Sequence, residues 1–145
     1  FKVKSIEINI YMSFNKNNNK LVLTTFITEL TNFIDLLCKL LPESKEIKQN
    51  KTYYISCKKM NPRAILLSWQ TDIAEHFKKS IADGDITFFA KHDYKNDPYL
   101  KEYSSFIIQM FENIKINIEK LKEDDKTTSM TYIQNLSKIS QLYIL

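Results

Sequence analysis

A chain of 145 residues has the length of one domain, and a domain of that size buries roughly 68–70% of the surface its unfolded form exposes, so no covalent or metal staple is required. One glycine and three prolines exclude a turn-dense sheet fold and every glycine-rich phosphate loop. The formal charge is +4, and of the 21 basic residues only Arg63 is arginine. AT-rich coding produces that bias without a nucleic-acid partner, whereas sequence-specific readers favour the planar arginine fork.

The first residue is Phe, and the first methionine is Met12. The natural start is therefore expected at Met12. Residues 1–20 are read as an extra or loose N-terminal segment, with a short strand in the alternation Val3, Ile6, Ile8, Ile10. No signal peptide is read there, and no apolar run is expected to reach the ~18 residues of a membrane span. Residues 21–145 are read as the helical domain.

Residues 21–41 repeat apolar side chains at 23, 26, 27, 30, 33, 34, 37 and 40, the spacing of a helix with a broad buried face. Pro42 ends it. Ser44 suits the cap of a second helix over 45–60. That stretch places Ile47, Tyr54, Cys57 and Met60 on one side and carries the densest basic run. Asn61-Pro62 is a cap followed by a first-turn proline. A third helix then extends to Ala82 on the stripe Ile65, Leu66, Trp69, Ile73, Phe77, Ile81.

Gly84 lies just beyond that stripe, where helices stop in left-handed geometry. Asp85 suits the cap of a short turn over 86–90, with Phe88 and Phe89 packing inward. Asp97-Pro98 predicts a fourth helix over 98–122, built on Leu100, Tyr103, Ile107, Met110, Ile114 and Leu121 and interrupted by Asn117. "KEDDKTT" reads as a linker, with Thr127 or Thr128 capping a last helix that buries Tyr132, Ile133, Leu136, Ile139 and Tyr143. The fold class is all-α, a single-domain bundle of about five helices with a short Phe-Phe turn in the middle.

Chemistry-bearing patterns are sparse. Cys38 and Cys57 form no CxxC and are read as free thiols of a reducing compartment. Asp72 and His76 are four apart, with His92 downstream. Three such groups would ligate zinc, but no HExxH or Cys/His cluster supports it, and surface or packing roles are expected. Asp83, Asp85, Asp93 and Asp97 fail the spacing of a calcium loop and read as caps and loop charges. No nucleophile elbow is present, and a pairing of Cys57 with His76 or His92 has no motif behind it. No catalytic residue, metal or cofactor is assigned, and the chain is read as a non-enzyme.

Two surfaces remain. Lys45, Lys48, Lys51, Lys58 and Lys59 would track a phosphate backbone, with Tyr53 and Tyr54 stacking on bases; a solvated helix face explains the same lysines. Trp69, Phe88, Phe89 and Tyr94 are the candidate interface residues, although Trp69 sits on a core stripe.

Three segments, NPRAILLSW (61–69), IADGDITFFAKHDY (81–94) and TTSMTYIQNLSKISQLY (127–143), together resemble a pattern found in small helical proteins of nucleocytoplasmic large DNA viruses. The resemblance spans about residues 25–143. It implies a viral protein made in an infected eukaryotic cell, located in the cytoplasm, the viral factory or the virion, and it carries over no catalytic residue. The expected function is non-enzymatic: an interaction or structural protein, such as a minor capsid component, that binds other viral proteins or itself. The alternative is a nucleic-acid-associated accessory factor in viral transcription or genome packaging. Neither membrane insertion nor a small-molecule substrate is expected.

Overall fold

The computed structural model describes residues 18–100 and 105–145. The strand expected over 1–11, the start at Met12 and the placement of Tyr103 lie outside these. The described residues form seven α-helices, a π-helical segment and a 3₁₀ turn, with no strand among them. The helices are α1 (Asn19–Leu40), α2 (Lys45–Met60), α3 (Pro62–Ser68), α4 (Lys78–Ala82), α5 (Ile86–Lys91), α6 (Phe106–Asn117) and α7 (Glu123–Gln141). The fold class stands, but the bundle has more and shorter pieces than the five expected.

The local signals work as chemistry dictates. Side-chain oxygens of Ser44, Asn61 and Asp85 accept the backbone N–H groups of Ile47, Ala64 and Phe88, satisfying donors that a helix start leaves unpaired. Gly84 has φ 68°. Its N–H donates to the Ile81 carbonyl at 3.0 Å and that of Asp85 to the Ser80 carbonyl at 3.1 Å, the paired bonds of a Schellman stop.

Three expectations are corrected. The third helix is not one continuous α-helix. α3 passes into a π-helical stretch, Trp69–Glu75, before α4 resumes. The stripe residues Trp69, Ile73, Phe77 and Ile81 are four apart, and on an α-helix each such step drifts by about 40°. The wider π turn cancels that drift, so all four stay buried. The fourth helix begins at Phe106, capped by Ser105, rather than at 98, because Asp97 and Pro98 open a turn instead. The "KEDDKTT" linker is the first part of α7. Glu123, Asp124 and Asp125 occupy its first turn, where negative charge suits the helix dipole. Thr127 and Thr128 donate back to the carbonyls of Glu123 and Asp124 and cap nothing.

The core lies where α1 packs on α7, α7 on the π segment, and α2 on α6. Val22, Phe26, Leu30, Phe33, Ile34 and Leu37 are the buried row of α1. By length and composition this helix is also apolar enough to cross a membrane, contrary to expectation. Its many Leu, Ile and Phe residues outweigh its polar ones in the average, and here its apolar row is covered by other helices. Trp69 sits at the centre, with its ring 5.9 Å from Phe26 and 5.4 Å from Phe111. Its indole N–H donates to Ser137 Oγ at 3.0 Å. Gln70 reaches the Ser140 and Tyr143 carbonyls and fastens the π segment to the end of α7.

Candidate functional site

Among the described residues, two places combine exposure with polar or charged chemistry. The first lies where α4, α5 and the 92–100 turn meet. His76 follows the π segment, His92 caps the C-terminus of α5, and Asp97 opens the turn after it. Asp97 Oδ2 lies 2.7 Å from His76 Nε2 and 2.6 Å from His92 Nε2. The Asp97 side chain is only 4% exposed, against 23% and 21% for the two imidazoles. Its other oxygen accepts the Tyr99 N–H at 2.9 Å. Burial pushes the Asp97 carboxyl up, but the hydrogen bonds from His76, the Tyr99 amide and His92 outweigh it and hold the group below its ordinary value.

Aromatic rings fix the imidazoles. His92 stacks on Phe88 at 5.1 Å and meets the edges of Phe77 and Tyr94 at 4.9 Å each. His76 lies 4.4 Å from Phe77 and 5.3 Å from Tyr99. Lys115 of α6 donates to the His92 carbonyl at 2.6 Å. A cavity of about 550 Å³ opens beside the cluster, lined also by Lys79, Ser80 and Asn96. The ligand atoms of His76, His92 and Asp97 lie within 4.8 Å of one another. Two imidazoles and one carboxylate are a donor set for first-row divalent metals.

This arrangement departs from the sequence reading. Asp72, expected on the face of His76, instead accepts the Ser68 hydroxyl at 3.3 Å. Asp97, read as a helix cap or loop charge, is buried and takes the place expected of Asp72. Asp85 and Asp93 do serve as cap and turn partner, the latter accepting from the Asn96 amide and side chain. Cys57 lines a different groove from the two histidines.

The second place is the outer face of α2. Lys45, Lys48, Lys51 and Lys59 are exposed and Lys58 is half-buried. Lys51 Nζ pairs with Asp35 Oδ1 at 3.1 Å, which holds that ammonium above its ordinary pKa. Lys58 lies 5.4 Å above the Tyr54 ring. Tyr54 is itself buried, with its hydroxyl 2.7 Å from Thr31 Oγ1 and 3.2 Å from the Ile27 carbonyl, so it has no face for a base. Met60, expected inside, is 84% exposed; Tyr53 is 45% and Ile55 43% exposed. Tyr53, Cys57 and Met60 line a groove of about 270 Å³, floored by Ile65, Phe106 and Ile107.

The four candidate interface residues divide. Trp69, Phe89 and Tyr94 are fully buried within the chain's own core. Trp69 is claimed by Ser137, and Tyr94 by the Phe89 carbonyl at 2.9 Å, so none of the three forms a surface. Phe88 alone is partly exposed, in the wall of the histidine cavity. No family model, curated protein or solved structure matches this chain.

Proposed function

We propose that this chain is a non-enzymatic interaction protein of the large-DNA-virus kind, acting as a virion or assembly component that docks on another viral protein or on a second copy of itself. The supporting observation is the outer face of α2. Three large apolar side chains, Tyr53, Ile55 and Met60, are exposed on the helix that also carries the lysines. Burial of α2 needs only Ile47, Asn50 and Tyr54, so folding does not account for Met60 at the rim of an apolar groove. Tyr53 and Met60 border the groove on one flank of α2, whereas Lys51 and Lys58 lie on the other beside Asp35, so the groove itself suits an apolar partner segment.

The test is site-specific photo-crosslinking in infected cells. A photoreactive residue at position 53 or 60 of the tagged chain is expected to capture a discrete protein partner or a second copy. The same probe at exposed Glu75 is expected to capture neither. Equal labelling from all three positions, or none from 53 and 60, refutes the reading.

The exposure of Lys45, Lys48, Lys51 and Lys59 along one helix supports the second reading, a nucleic-acid-associated factor. It requires DNA or RNA binding that weakens with salt, with a slope of about 0.9 per phosphate contacted on B-DNA, and that falls when Lys45, Lys48 and Lys51 are neutralised. Absence of binding at low salt removes it.

A further inference from the structure

We propose that His76, His92 and Asp97 form a binding site for one divalent first-row transition-metal ion of the zinc class, with an open coordination position facing the adjoining cavity. The inference starts from convergence. Both Nε2 atoms point at the same carboxylate oxygen, at 2.7 and 2.6 Å, so three ligand axes cross near one point. His76 lies sixteen residues before His92, and Asp97 five after it, and the two imidazoles approach from different elements.

The fit to a cation is close. Zinc sits ~2.0–2.1 Å from imidazole nitrogen and ~2.0–2.2 Å from carboxylate oxygen, which places tetrahedral ligand atoms about 3.3 Å apart. The present N···O edges open by roughly 0.6–0.7 Å to reach that spacing. The part-exposed imidazoles supply the movement by small ring rotations, while Asp97 stays pinned through the Tyr99 amide. An Nε2 that bonds the Asp97 carboxylate does so as a donor, and holding a metal there requires that nitrogen bare, with the remaining ring proton on Nδ1. The resulting site has two neutral imidazoles and one carboxylate, leaving the bound ion with net charge +1.

The donor set selects among ions. Oxygen-seeking Ca²⁺ and Mg²⁺ are disfavoured by two nitrogen donors, and no thiolate draws the site toward Cu(I). Three protein ligands leave the ion unsaturated. The remaining position faces the cavity lined by Lys79, Ser80 and Asn96, where water or a small anion completes the shell. Such an ion would clamp the end of the π segment, the end of α5 and the 92–100 turn together.

The test uses the full chain in a Cys38→Ser/Cys57→Ser background, so that thiols take no metal. After chelator treatment and dialysis the protein is titrated with Co²⁺ and then with Zn²⁺. The expected result is one equivalent bound, a visible cobalt spectrum that zinc bleaches, and a zinc-dependent rise in melting temperature. Asp97→Asn removes the charge, and its single oxygen serves either the imidazoles or the Tyr99 amide, so its metal-free melting temperature is expected to fall and its metal affinity to drop at least ~10-fold. His92→Gln, at a part-exposed position, supplies a second variant with the same expected loss should Asp97→Asn fold poorly. Absence of stoichiometric binding, or binding unchanged in both variants, overturns the proposal and leaves the cluster as a hydrogen-bonded anchor.

Discussion

Replacing Gly84 with alanine tests the turn that joins α4 to α5 and so aims the helix bearing His92. At φ 68° an L-residue meets its own carbonyl, at about 1–2 kcal/mol. Against this, alanine narrows the unfolded ensemble and recovers about 0.4–1 kcal/mol. The added Cβ would also lie 3.4 Å from Gln134 Nε2, the group that donates to the Ile81 carbonyl at 2.9 Å and holds α7 to the end of α4. If that bond stretches, a further ~0.5–1.5 kcal/mol is lost. The net expectation for Gly84→Ala is about 1–2 kcal/mol of destabilisation, or a melting temperature lower by roughly 3–7 °C for a domain of this length. Urea unfolding followed by far-UV circular dichroism reads it directly. Gly84→Asn is expected to lose less, since asparagine tolerates left-handed geometry. In a Gln134→Ala background the alanine should cost only its backbone part. A Gly84→Ala chain as stable as the parent, or more stable than Gly84→Asn, refutes the argument.

Trp69→Ala is expected to cost about 3–5 kcal/mol, because the ring is fully buried between Phe26 and Phe111. Trp69→Phe is expected to cost about 1–3 kcal/mol by leaving Ser137 without its donor; unchanged urea midpoints would contradict both. Burial raises the Tyr54 phenol above its ordinary pKa, opposed in part by the bond to Thr31 and assisted by Asp35. Its share of stability is therefore fully present below about pH 10, the unfolded value, and is lost as pH rises through the folded value. Tyr54→Phe should flatten the alkaline limb of stability by up to about 1.4 kcal/mol per pH unit, at about 1 kcal/mol lost near neutrality. An alkaline limb identical to the parent's would count against it.

What was legible in the sequence is what near neighbours decide. Ser44, Asn61 and Asp85 cap because their oxygens reach N–H groups three residues on, and Gly84 stops a helix through its own φ. The breaks in the third and fourth helices were not legible for a related reason. The stripe from Ile65 to Ile81 is compatible with a straight α-helix at every single step; only the accumulated drift, checked against the α1 and α7 surfaces, forces the π turn. Likewise Asp97-Pro98 has the composition of a helix start, and two histidines brought from elsewhere decide that its carboxylate turns inward.

The same contrast explains why the histidine cluster escaped a motif search. Metal motifs are recognised when helical or hairpin spacing places ligands together, as in a pair four apart on an α-helix. Here the pair with that spacing, Asp72 and His76, takes different partners, Ser68 and Asp97. The set that converges, 76, 92 and 97, has spacings of sixteen and five with no regular element to interpret them. It is assembled by Phe77, which lies 4.4 Å from His76 and meets His92 edge-on at 4.9 Å, and by the turn that begins at Gly84. The lone glycine therefore bears on more than helix length. By ending α4 and letting α5 double back, it brings His92 to within hydrogen-bond reach of a carboxylate that His76 also holds. A variant that straightened this turn should separate the imidazoles as well as lower stability.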